Sequence, residues 1–191
     1  MRSARPAQVP LPEGNALTEH LKPLDERFNA CVVNMCHLHT DGRWQAVPNA
    51  LGTDTPRALE ALTTQHRDTG TLYVSSEHSN RTIFGGPAYA EINHAFRAWH
   101  DAGHIVLQAG FDIKGEKHVA RWQVRNMQKR YGPNPWFAAL IWEEVVGQAI
   151  AREKLGHYVA DQRQFAETWL KHRGHAPEAV NGCVHWETGT P

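Results

Sequence analysis

His100 and His104 stand four residues apart in the segment Phe96-Arg97-Ala98-Trp99-His100-Asp101-Ala102-Gly103-His104. On a helix, residues i and i+4 project from one face a turn apart, the spacing with which two imidazoles grip one cation. The chain has 13 histidines, enough for one such pair to arise by chance, so the weight falls on the carboxylates of neighbouring helices. Glu116 belongs to the turn that follows the histidine helix. Glu143 and Glu144 lie ~13 Å into the helix after that, level with the histidines. Glu144 shares a row with Gln148 and is read as the ligand completing the site with His100 and His104, with Glu116 the alternative. Two histidines and one or two carboxylates suit Zn²⁺, Mn²⁺ or Fe²⁺. A metal of this kind lowers the pKa of a bound water. Asp101 and Glu116 are then the catalytic candidates, a carboxylate that does not ligate serving as general base.

Other residues are candidates for holding substrate. Arg81 ends the polar run Ser75-Ser76-Glu77-His78-Ser79-Asn80-Arg81, whose hydroxyls and guanidinium could meet a phosphate, although a plain loop accounts for it as well. Gln148 and Asp161 are assigned to the same role. Cys31, Cys36, His37 and His39 lack the paired CxxC spacing of a zinc knuckle. Read as a strand, they place Cys36 on the opposite face from the others, which also argues against Cys36 and His37 as a nucleophile pair.

The string His100-Asp101-Ala102-Gly103-His104 resembles the HDxGH motif of HD-domain phosphohydrolases. That resemblance implies a metal held by the His-Asp pair, an upstream histidine (His66 or His94) and a downstream aspartate (Asp161). The longer order FRAWHDAGH, GFDIKGE, EEVVGQ and DQRQF, over residues 94–166, resembles a set of uncharacterised bacteriophage-encoded proteins with an FRxxHDxxH…GE pattern. It implies that Phe111, Gly115, Glu116, Glu144, Gln148, Asp161 and Gln162 share one site with the two histidines. It also implies a phage or prophage origin, and it supplies no activity.

The elements that must position these residues follow from periodicity and turn chemistry. Residues 1–15 read as a flexible arm and 16–191 as a single domain, with an α+β part at 16–85 and a helical bundle at 86–175. A short helix is expected at 17–27. The Val- and Cys-rich run before Asp41-Gly42, with Arg43-Trp44-Gln45-Ala46-Val47 after it, predicts a β-hairpin. Thr55-Pro56 predicts a helix start, and residues 71–76 and 81–85 read as strands. Helices are expected at 87–110, 116–131, 136–155 and 161–172, separated by Gly- and Pro-containing turns. The fold class is therefore α+β, mainly α: a small N-terminal β-hairpin region packed on an antiparallel bundle of about four helices.

Composition narrows the function classes. With 191 residues, 41% hydrophobic, 21% charged and zero formal net charge, nothing draws the chain to nucleic acid or membrane. Arg121, Arg125, Lys129 and Arg130 recur at helical spacing and read as a solvated face. No run approaches the ~18 apolar residues of a membrane span. Three cysteines and an N-terminus without an apolar core predict a cytoplasmic protein, in the host cytoplasm if phage-encoded. The leading expectation is a metal-dependent hydrolase of a small or nucleotide-like substrate. The alternatives are an HD-type phosphohydrolase, a non-haem iron oxygenase, and a non-enzymatic binding or inhibitor protein with structural histidines. The oligomeric state is left open.

Overall fold

A computed structural model describes residues 21–48, 50 and 58–172. The expected arm at 1–15, the Thr55-Pro56 helix start and the tail beyond 172 lie outside the described residues. Among those described, the chain forms six helices, one of them broken by a π turn, and one two-stranded sheet.

Helix α1 spans Glu26–Thr40, where the sequence predicts the first arm of a hairpin. Asp25 caps it by accepting the Phe28 N–H at 2.9 Å. Phe28, Val32, Met35 and Cys36 form its buried stripe at helical spacing. Asp41 (φ 51°) and Gly42 (φ 71°) are both left-handed. That pair suits a type I′ hairpin turn, but left-handed residues equally end helices, and here they close α1. The residues from Leu21 to Asp25 are not helical, so the short helix expected at 17–27 is not seen in its described part.

Strand β1 (Trp44–Val47) pairs in parallel with β2 (Leu72–Ser75), in the register Trp44↔Leu72 to Val47↔Ser75. The sheet is thus not a hairpin. A parallel pair needs a crossover, and α2 (Ala58–Thr69) lies between the two strands in the chain. The second strand expected at 81–85 is reduced to a bridge between Thr82 and Gly85.

A 3-10 turn at Pro87–Tyr89 leads into α3, Ala90–Leu107. This helix is central: α1, β2, α2 and α4 all pack against it. Trp99, fully buried, lies edge-on to Phe96 and within ring contact of His39 and Trp122. Helix α4 (Ile113–Tyr131) is capped by Asp112, which accepts the Gly115 N–H at 2.7 Å. It buries Glu116, Val119, Ala120, Gln123 and Met127, and Arg121, Arg125, Lys129 and Arg130 are exposed as expected. Helix α5 (Pro135–Trp142) starts on Pro135 with Asn134 as cap. It runs through a π turn at Glu143–Gly147 into α6, Gln148–Leu155. Asp161 caps α7, Gln162–Lys171, which packs on the π turn.

Candidate metal centre

Two histidines of α3 and the first-turn glutamate of α4 meet beside the turn that joins the two helices. The Nε2 atoms of His100 and His104 are 3.1 Å apart, and Glu116 Oε2 lies 2.9 Å from the first and 3.5 Å from the second. A cation about 2.0–2.2 Å from each of three such atoms needs them ~3.0–3.5 Å apart, so this triangle fits one with little movement. Among the described residues, these three form the only group of three or more such side chains whose ligand atoms fall within 4.8 Å of one another. They could hold a metal ion.

The outer nitrogens are already committed. His104 Nδ1 donates to the Ala109 carbonyl at 2.8 Å, which turns its Nε2 toward the triangle. His100 Nδ1 faces Asp101 Oδ1 at 3.4 Å. Such partners fix tautomer and ring orientation in metal sites. Phe111 stacks on His104 with ring centroids 4.0 Å apart, covering one face of the imidazole.

Electrostatics also tie the three groups to one another. Burial opposes a charged His100, but Glu116 and Asp101 outweigh it and raise its pKa to about 10. Burial likewise opposes a charged Glu116, and His100 outweighs it, lowering that pKa to about 2. One proton on His100 Nε2 therefore sits between Glu116 and His104, where a cation would bind. A metal must displace it. Between about pH 2 and about pH 10, cation uptake releases one proton from His100 and apparent affinity climbs about tenfold per pH unit. Calorimetry with Zn²⁺ at neutral pH, in buffers of different ionisation enthalpy, should report about one proton released; a value near zero would mean that His100 is already neutral.

His100 and Glu116 also line a cavity of about 450 Å³. Its further walls come from β2 and the following loop (Tyr73, Ser75, Glu77, His78), from the π turn (Glu144), and from α6 and α7 (Gln148, Arg152, Gln162). Two successive carboxylates stand at the start of the π turn: Glu143 is fully buried and Glu144 lines the cavity. Neither carboxylate oxygen of Glu143 has a hydrogen-bond partner. Burial, and then the neighbouring Glu144, push its pKa far up, which favours the protonated form. Burial also raises Glu144 to about 7, against the pull of Arg97, Gln148 and His100. The Gln148 side-chain amide favours the ionised form of Glu144 by hydrogen bonding to it.

Glu116 rather than Glu144 thus stands with the two imidazoles, and Glu144 faces the same cavity. Asp101 lies at the outer nitrogen of His100. Gln148 lines the cavity. Arg81 and Asp161 do not: they pair with each other at 2.8 Å, tying the loop after β2 to the start of α7. His94 is engaged by Ser79 at 3.0 Å, and neither it nor His66 or Asp161 joins the His100 group. The ligand set implied by the HD resemblance is therefore not assembled. Of the residues tied together by the phage-protein resemblance, Phe111, Glu116, Glu144, Gln148 and Gln162 do line one cavity with His100. Cys31 and Cys36 are free thiols on α1. Sequence reasoning missed Arg97, whose Nη1 donates to the Ser75 and Glu77 carbonyls at 2.5 and 2.7 Å. Its place one turn before Asp101 was the available signal. It also missed Arg152, which holds the Phe111 carbonyl and the Tyr158 hydroxyl.

No family model matches the chain, and neither a curated protein nor a solved structure matches it.

Proposed function

We propose that this protein is a metal-dependent hydrolase of a small or nucleotide-like substrate. The observation that carries the reading is the triangle of His100 Nε2, His104 Nε2 and Glu116 Oε2, two of whose side chains open on the cavity. Three protein ligands leave positions for water and substrate, as in catalytic rather than structural sites. The metal, Zn²⁺, Mn²⁺ or Fe²⁺, supplies a water of lowered pKa and polarises the bond to be cut.

The roles of the two glutamates are exchanged relative to the sequence reading. Glu116 ligates. Glu144 is the general base and then the acid, because its carboxyl faces the cavity and titrates near neutrality. Asp101 orients His100 through Nδ1. Arg97 positions the loop after β2 as a cavity wall.

The test is turnover by the metal-loaded protein of bis-p-nitrophenyl phosphate, p-nitrophenyl acetate and nucleoside triphosphates. Hydrolysis of at least one is expected, abolished by a chelator and by Glu116→Gln. Glu144→Gln should keep the metal and lower kcat about 10²–10⁴-fold. Two histidines and one carboxylate on one face also favour a second reading, an iron-dependent oxygenase. Oxygen consumption by the Fe²⁺ form, with no hydrolysis under any metal, would replace the first reading by the second.

A further inference from the structure

The three candidate ligands are enclosed. The side chains of His104, Glu116 and His100 are 0%, 6% and 16% exposed, so the passage of an ion depends on the groups that cover them. Phe111 is one such group. Its ring stacks on His104 with centroids 4.0 Å apart, lies 6.4 Å from the His100 ring, and also lines the cavity. On its other side it packs against Leu62, Leu72 and Ala102.

Phe111 stands in the turn from Gln108 to Asp112 that joins α3 to α4. The ends of this turn are tied to the helices it joins: the Ala109 N–H donates to the His104 carbonyl, and Asp112 accepts the Gly115 N–H. The Phe111 carbonyl is held from elsewhere. Arg152, on α6, donates to it from Nη2 at 3.2 Å. Arg152 is itself fixed by Tyr158, whose hydroxyl accepts from Nη1 at 2.8 Å and whose ring centroid lies 5.4 Å from the guanidinium carbon. A guanidinium is a rigid fork of donors and can grip two acceptors at once. A charged donor also makes a stronger bond than a neutral one. A chain of contacts therefore runs from Tyr158 through Arg152 and Phe111 to His104.

We propose that Arg152 is a positioning residue for the metal centre: by holding the Phe111 carbonyl it keeps the Phe111 ring on His104, and so sets how fast the ion exchanges. This inference rests on the metal reading above and does not need hydrolysis. Loosening the turn uncovers His104 to ions going either way, while His100, His104 and Glu116 remain as they are. The signature is a change in rates much larger than the change in affinity.

The experiment follows transfer of bound Zn²⁺, or of whichever of Zn²⁺, Mn²⁺ and Fe²⁺ the parent retains, to a chromophoric chelator in stopped flow. Uptake rates and equilibrium titrations with the same ion accompany it. Arg152→Gln should release the ion at least about tenfold faster than the parent and take it up faster by a similar factor, with the dissociation constant unchanged within about threefold. Phe111→Ala should accelerate exchange likewise, and adding Arg152→Gln to it should change little more, because both act through one ring. Tyr158→Phe should fall between the parent and Arg152→Gln, and it decides the matter if circular dichroism shows Arg152→Gln unfolded. Unchanged exchange in the folded variant, or an acceleration that adds fully to that of Phe111→Ala, overturns the proposal and leaves the metal centre standing. Weaker affinity without faster uptake would make Arg152 a merely structural residue and overturns it as well. A parent that binds none of the three ions defeats the metal reading itself, and this inference with it.

Discussion

Glu116→Gln is expected to weaken metal binding by at least 100-fold, and His100→Ala/His104→Ala to abolish it. Elemental analysis of untagged protein, with Zn²⁺, Mn²⁺ or anaerobic Fe²⁺ supplied, should give about one ion per parent chain. The glutamine amide would occupy the same volume as the Glu116 carboxylate, yet it carries no charge to offer a cation beside the nitrogens 2.9 and 3.5 Å away. Asp101→Asn gives the graded counterpart. It alters the outer contact of His100 at 3.4 Å and the pull of Asp101 on Arg97, and leaves the three facing ligand atoms in place, so affinity should fall by about 10–100-fold without being lost. Complete loss with Asp101→Asn would instead make Asp101 a ligand and restore the HD-type arrangement. A parent that takes up none of the three ions would defeat the metal reading and return the protein to the class of binding modules with structural histidines.

The second large effect is on stability. A Cβ built on Gly115 would stand 1.8 Å from the Gly110 carbonyl oxygen and 2.8 Å from its carbon. Both belong to backbone, so no side chain can rotate away. Gly115→Ala should destabilise the protein by at least about 3 kcal/mol, read as a shifted denaturant midpoint. It should also impair metal binding, because Glu116 is the next residue and Ala109, which holds His104, precedes Gly110. Gly110→Ala is the control: nothing lies within 4 Å of its Cβ position, and the change should stay within about 1 kcal/mol. Equal tolerance of both substitutions would show that the close approach relaxes freely.

Much of the site was legible because it rests on helical periodicity. The i, i+4 spacing of His100 and His104 and the height of Glu116 at the following turn bring those residues together from sequence alone, and the helices around them fall close to their expected bounds. The ligand choice between Glu116 and Glu144 was not legible. It depends on where the helix after Pro135 changes register, and a π turn leaves no distinctive residue pattern. Glu143 is fully buried and Glu144 lines the cavity without joining the two imidazoles. At the first helix the sequence misleads. Val32, Val33 and two cysteines favour a strand locally, and Asp41-Gly42 is the strongest short hairpin signal, yet Phe28, Val32, Met35 and Cys36 bury a helical stripe against α3. Tertiary packing overrides the local preference. The parallel partner of β1 lies beyond α2, where no short-range signal could announce it.

The π turn at Glu143–Gly147 has a consequence for how such a site is inherited. An extra residue within a helix is gained or lost by a single codon insertion or deletion. Removing one residue there would restore α-helical register, leave the helical segments before and after it in nearly the same orientation, and change which residues within the turn face the cavity. Glu144 and Gln148 would then no longer share the cavity. In an ancestral series, the cavity-lining carboxylate and the extra residue should therefore be acquired together and lost together. A one-residue gap at 143–147 would separate lineages that carry this cavity chemistry from those that retain only the helix.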